Sequence, residues 1–284
     1  GRLTLAIDIF DDKYPKRFLH QLISGQLDMD RMDYLKRDSF FSGVTEGAIG
    51  SDRIIKMLNV VDDELVVEAK GIYSIEKFLI ARRLMYWQVY LHKTVVAAEQ
   101  TLIKMLKRAK ELATQGVEID ASPALKYFLL NDISNAEFKG SLENKQNIAL
   151  QNFALLDDSD IMVSAKLWMN SKDNVLSTLA KMIVNRKLLS VTLKNTPFDS
   201  KQIDSLRVSF IKLYPELKEF ADYFVFSDSL SISAYQPGDE SIKILYNNGQ
   251  LTDIAEASDM LNAKALSNEV KKYFICYPKE LRNI

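Results

Sequence analysis

Side chains that build disulfides and closed zinc sites are scarce: 284 residues contain one cysteine and two histidines. Cys276 has no partner for an intrachain bridge, and a chain without a disulfide framework suits a reducing cytoplasm. A closed zinc site takes about four Cys, His or carboxylate ligands and is not expected here. Long apolar runs are also missing. None approaches the ~20 residues that cross a bilayer, and the N-terminus carries no secretory pattern, so no membrane partner is expected. Charge of one sign is lacking too. Thirty-seven Lys and Arg face 38 Asp and Glu, for a net charge of −1, which argues against a broad nucleic-acid surface. What the chain has is 47% apolar residues, enough for a sizeable core. It begins on Gly1 rather than Met, and reads as a piece of a longer protein.

Apolar spacing organises the chain. Phe18, Leu19, Leu22 and Ile23 predict a short helix ended by Gly25. Asp28 is placed to cap a helix from Met29 to about Phe41, and the glycine-rich stretch 42–51 is loop. After a short helix at 52–58, two β-branched runs flank Asp62-Asp63-Glu64 and predict a small antiparallel hairpin closed by Gly71. Residues 72–114 contain no Gly or Pro. As one helix they would be roughly 65 Å long, against a diameter of roughly 50 Å for a compact chain of this size. That helix must kink, break or project, and a projecting helix would make an oligomer contact. Further helices are predicted at 122–130, 142–153, 157–169 and 174–187. From Leu188 the texture changes to strand (188–193), helix (199–217), strands at 222–235 and 241–246 joined through Pro237-Gly238-Asp239, helix near 256–268 and strand 270–278. The expected architecture is mainly α, a helical bundle with a β-hairpin over 1–187, followed by a small α+β, ferredoxin-like subdomain over 188–284.

Two stretches carry chemistry. On the helix after Asp28, Asp30, Arg31, Tyr34 and Asp38 share one broad face. A guanidinium that forks onto phosphate, with a phenol and carboxylates beside it, suits a nucleotide; a surface helix with ordinary ion pairs has the same spacing. In IARRLMYWQVYLHK, Arg82, Tyr86 and Tyr90 recur every fourth residue. Solvation of Arg82 and Arg83 with core packing of Trp87 and Tyr90 is the alternative there.

LDMDRMDYLKRDSFFSG resembles the segment that ends the metal site in the sterile-alpha-motif-and-HD dNTP triphosphohydrolase and the bacterial dGTPase-like proteins, both of the HD superfamily. Asp28, Asp30, Arg31, Asp33, Tyr34, Arg37 and Asp38 match that pattern. The resemblance implies Asp30 as last metal ligand, Arg31 on phosphate, and Tyr34 and Asp38 on the sugar side. Arg82, Tyr90, His92 and Lys93 match a second family segment, in which Arg82 would bind phosphate. The chain departs from the family at Tyr86, where the family has His, and at Leu91, where it has Gln. An HD-like helical fold is thereby implied over most of the chain.

The family holds a divalent metal (Mg, Mn, Fe or Zn) with a His, a His-Asp pair and the distant Asp. This chain has His20 and His92 and no His-Asp pair, and one carboxylate falls short of the usual three ligands. His20 reads as a hydrogen-bonded, partly buried residue and Cys276 as core. The expectation is part of a metal-dependent phosphohydrolase acting on (deoxy)nucleoside triphosphates or a related nucleotide, inactive as this piece and assembled as a dimer or tetramer. The alternative is a catalytically degenerate nucleotide-binding regulator or oligomerisation protein of the same family.

Overall fold

The computed structural model describes residues 3–139, 147–232, 235, 241–259 and 270–282. In chain order come helices α1 (Thr4–Phe10), α2 (Arg17–Ser24), α3 (Met29–Ser42) and α4 (Ser51–Met57), strands β1 (Leu58–Val61) and β2 (Glu64–Glu68), and α5 (Ile72–Met85). A π turn over Tyr86–Tyr90 precedes α6 (Lys93–Thr114), α7 (Pro123–Leu130), α8 (Asn135–Lys139), α9 (Ile148–Leu155), α10 (Asp158–Trp168) and α11 (Asn174–Val184). Then follow β3 (Ser190–Lys194), α12 (Ser200–Leu213), a 3-10 segment (Pro215–Tyr223), β4 (Phe226–Ile232), β5 (Lys243–Leu245), β6 (Leu251–Asp253), α13 (Ile254–Ala257) and β7 (Val270–Tyr277). The chain is mainly α with a small α+β part, as the sequence predicts. Among the described residues, no helix is long and apolar enough to cross a membrane.

Residues cluster into two compact units, one of 1–92 with 230–272 and one of 93–229 with 273–284. The boundary expected at 187/188 falls inside the second unit. Two features move it. The helical stretch 72–114 breaks after Tyr90, and β5 pairs in parallel with β2 (Val66↔Lys243 to Glu68↔Leu245), which returns the later segment to the first unit.

In the first unit, β1 and β2 form the expected hairpin, in register from Leu58↔Val67 to Val61↔Glu64. Asp62 and Asp63 both adopt left-handed backbone (φ 50° and 59°), a type I′ turn that matches strand twist. The sheet order is β1-β2-β5-β6. Leu35, Ile54, Ile75, Phe78, Leu79 and Met85 build the core beneath it. The Asp28 side chain caps α3 by accepting from the Arg31 N–H at 2.6 Å, and Gly43, in the left-handed region (φ 72°), ends the helix. Gly47 has no room for a side chain: a Cβ would lie 2.5 Å from Met85 Sδ and 2.8 Å from Ser39 Cβ. That close approach packs the 45–47 turn against α3 and α5. Half-buried His20 lies 3.1 Å from the Ile9 carbonyl through Nδ1.

The second unit packs α6, α7, α10, α11, α12 and the 215–223 segment around Met105, Leu112, Leu176, Leu179, Phe210 and Phe224. Arg108 is buried and bidentate on Asp173 (Nε–Oδ1 3.2 Å, Nη2–Oδ2 2.6 Å), and it also reaches Glu111 at 3.2 Å. Asp173 caps α11 through the Leu176 N–H at 2.7 Å, so one carboxylate serves two helices. The second sheet has the order β3-β7-β4, with β3 and β7 antiparallel from Ser190↔Tyr277 to Lys194↔Tyr273. A single ferredoxin-like sheet is not formed among the described residues, because β5 belongs to the other sheet. Cys276 is fully buried in β7, as expected.

Other local expectations shift. Residues 4–10 form a helix that the mixed N-terminal composition concealed. The predicted helix 199–217 stops at Leu213, and Pro215 opens the 3-10 segment that delays β4 to Phe226. The 237–239 turn, the start of the predicted 142–153 helix and the helix near 256–268 from residue 260 on lie outside the described residues.

Candidate functional site

The two singled-out stretches meet within the first unit. α3 carries Arg31, Tyr34 and Asp38, and the end of α5 with its π turn carries Arg82, Tyr86 and Tyr90. The Tyr90 hydroxyl donates to Asp38 Oδ2 at 2.7 Å across 52 residues of sequence. Tyr90 stands edge-on to Tyr34 (centroids 6.0 Å apart) and to Tyr86 (5.2 Å). The Arg82 guanidinium lies 6.0 Å from the centre of the Tyr86 ring. Three phenols, one carboxylate and one guanidinium thus form a continuous half-buried cluster.

The π turn brings Tyr90 into it. The Leu91 N–H donates to the Tyr86 carbonyl at 2.7 Å, five residues back, and inserts one extra residue into the turn. Regular α spacing would stack residues 82, 86 and 90 only approximately; the wider turn adjusts the last of them.

Burial dominates the electrostatics. It pushes the Tyr34 phenol above its ordinary range, Tyr86 adds to the effect, and Arg82 and Arg31 oppose it. Burial also raises Tyr90, reinforced by its bond to Asp38. Both phenols are therefore protonated donors at neutral pH. Asp28 is raised by burial as well, against the pull of Arg31.

Arg31 is partly engaged. Its guanidinium turns back onto the Asp28 carboxylate and the Gly25 carbonyl. This is the ion-pair reading for that one residue, but a guanidinium has five N–H donors, and Arg31 still acts on Tyr34. Asp33 and Arg37 form an exposed pair. Trp87 packs under Lys272, with Nζ 4.1 Å from the ring centre. His92 and Lys93 are exposed. The sequence alternative of an ion-paired Arg31 did not name Asp28 as the partner, although the i, i+3 spacing that makes Asp28 a cap also brings it to Arg31.

Asp30 is exposed in the first turn of α3. Among the described residues no group of three His, Cys, Asp or Glu converges on a point. The residues present therefore do not fit a metal centre by themselves.

The HD associated region family model matches residues 49–127, which include the Arg82–Tyr90 stretch. The crystal structure of a phosphohydrolase from Bacteroides thetaiotaomicron superposes with a TM-score of 0.89 at 57% identity, covering 98% of this chain and 68% of that one. The uncharacterized protein YwfO of Bacillus subtilis is 29% identical over 281 residues, 96% of this chain and 60% of YwfO. A hypothetical protein from Aquifex aeolicus shares the fold, with a TM-score of 0.64 at 23% identity. The chain spans from about half to three fifths of the length of the curated relatives it matches. With 57% identity across nearly its whole length, the chain belongs to the HD-superfamily phosphohydrolases.

Proposed function

We propose that Arg31, Tyr34, Asp38, Arg82, Tyr86 and Tyr90 are the nucleotide-contacting wall of a metal-dependent phosphohydrolase that acts on deoxynucleoside triphosphates or a related nucleotide. Asp30 supplies one ligand to a divalent metal whose other ligands lie outside this chain. The reading rests chiefly on the Tyr90–Asp38 bond, which ties the two stretches into one cluster. Arg82 offers planar donors to phosphate oxygens, the tyrosine rings offer faces to a base or sugar, and Asp38 accepts from a sugar hydroxyl. We further propose a cytoplasmic homo-oligomer.

Equilibrium binding of each deoxynucleoside triphosphate to the full-length protein, with and without Mg²⁺ or Mn²⁺, tests this reading. Arg82→Ala should weaken binding by about tenfold or more, the loss of one charged hydrogen bond. Release of triphosphate should disappear in Asp30→Ala. Absence of nucleotide binding, or clear metal-dependent turnover by residues 1–284 alone, would overturn the reading. The Tyr86 phenol, standing where the family has an imidazole and packed on Tyr90, favours a second reading as a nucleotide-binding regulator without turnover. Binding without hydrolysis in the full-length protein would decide for it.

A further inference from the structure

The second unit holds a cavity of about 530 Å³, and no residue of the candidate nucleotide wall lines it. Four pieces of chain enclose it: the end of α11, the connection 186–189, the end of α12 with the 3-10 segment after it, and the residues that follow β7. Protein interiors are close-packed, and a cavity of this size is in the class of roughly 300–1,000 Å³ that takes small molecules.

Its floor is apolar. Leu189, Phe210, Leu217, Phe224 and Pro278 are buried at the bottom of it. Phe210 pairs with two other rings, Phe224 at 5.2 Å and an interplanar angle of 18°, and Tyr214 at 5.1 Å and 37°. Such a group of rings offers apolar area and π surface to a flat body.

The rim is charged, and the acids gather at one end. Burial first, then the carboxylates of Glu280 and Glu216, raise the Tyr214 phenol, which places both acids beside Tyr214. Lys181 and Lys187 stand at the α11 end. Thr178, Lys181 and Asn185 are spaced i, i+3, i+7 and share one face of α11. A hydroxyl, an ammonium and an amide in line are donors for the oxygens of an anion. The end of α11 does not use them up. Its last carbonyls, on Lys181, Met182 and Ile183, accept from the backbone N–H groups of Asn185, Lys187 and Arg186 at 3.0–3.2 Å. Arg186 takes the left-handed backbone (φ 55°) that this closure needs. Among the described residues, Lys181, Lys187 and Lys279 make no ion pair.

The rim also separates the candidate occupants. A protein face laid over the opening would bury Lys and Glu, which are depleted from interface centres. A small molecule reaches the floor and leaves those charges in water at the mouth.

We propose that this cavity binds a small organic anion, a flat apolar body seated on Phe210 and Phe224 with one carboxylate or phosphate group held by Lys181, Lys187 and Asn185. The proposal shares no residue with the nucleotide wall and needs no metal, so neither reading depends on the other.

Calorimetric titration of the full-length protein tests it, with 2-naphthoate, 2-naphthyl phosphate and neutral 2-naphthamide as probes. At least one of the two acids should bind saturably, and the tighter one names the acid group. The amide keeps the ring and loses the charge, so it should bind about tenfold or more weaker than that acid. Lys181→Ala together with Lys187→Ala removes exposed side chains, so the unit stays folded. The pair should weaken the acid by about tenfold and leave the amide unchanged. Thr178→Trp fills the cavity from α11 and should abolish binding of all three probes. Arg82→Ala should leave the acid affinity unchanged. No binding of either acid overturns the proposal, as does an amide that binds as tightly as the acids. Acid binding that survives the paired lysine substitution at full strength, or is lost in Arg82→Ala, puts the site elsewhere and overturns it too.

Discussion

Tyr90→Phe removes one oxygen and leaves the ring. Its contacts with Tyr34 at 6.0 Å and Tyr86 at 5.2 Å persist, so the substitution isolates the hydroxyl that donates to Asp38 at 2.7 Å. A hydrogen bond to a charged acceptor contributes about 1.5–3 kcal/mol. Both partners are half-buried, which discounts the figure to about 1.5 kcal/mol. With a urea dependence of about 2 kcal/mol per molar, the unfolding midpoint should fall by about 0.7 M. The two tryptophans make the measurement specific. Trp87 is in the first unit and Trp168 in the second, so a Trp168→Phe background leaves fluorescence that reports on the first unit alone. Asp38→Asn and the double variant complete a cycle, whose coupling should be about 1–1.5 kcal/mol. Nucleotide affinity in Tyr90→Phe should change little if Asp38 then receives the sugar hydroxyl unopposed. A midpoint shift below about 0.2 M, or strict additivity of the two substitutions, would show that the bond is incidental and that the cluster is held by ring packing.

Three other outcomes follow from the second unit and from the buried phenols. Arg108→Ala strands the Asp173 carboxylate, which is 17% exposed, and should cost about 3–5 kcal/mol, read from Trp168 in a Trp87→Phe background. Burial raises the phenols of Tyr34, Tyr90, Tyr223 and Tyr235 above their unfolded value. Their contribution to stability is complete below pH ~10 and is lost as pH rises past it; urea midpoints should be flat from pH 7 to 9 and fall beyond 10, and a midpoint rising above pH 10 would contradict the assignment. Burial pushes the Cys276 thiol up to about 12, so Ellman's reagent at pH 8 should find no reactive thiol in the native protein and one after denaturation.

Much of the cluster was legible because its parts repeat at helical spacing within each stretch. Asp28 as a cap and Gly25 and Gly43 as breaks set α3 in register, and the Asp-Asp turn fixed the hairpin. Long-range facts were not legible. Nothing local in Lys243–Leu245 says that β5 will join β2 in the first unit rather than β3 and β7 in the second, and the domain boundary follows from that pairing. Likewise the run 72–114 lacks any Gly or Pro to mark where it breaks. Length forbade a continuous helix without locating the fault. Arg31 shows the same limit: its spacing placed it on the candidate face, while its bond back to Asp28 is settled by side-chain geometry.

The turn at Tyr86–Tyr90 is in effect a one-residue insertion. Removing any one residue from it would let the last turn close with ordinary α geometry and would rotate Tyr90 by about 100° about the axis of α5. Tyr90 would leave Asp38. Single-residue deletions are usually harmless at a helix end, yet here one would take the Tyr34–Asp38–Tyr90 cluster apart. The length of this turn is therefore constrained more tightly than the identities of most residues within it.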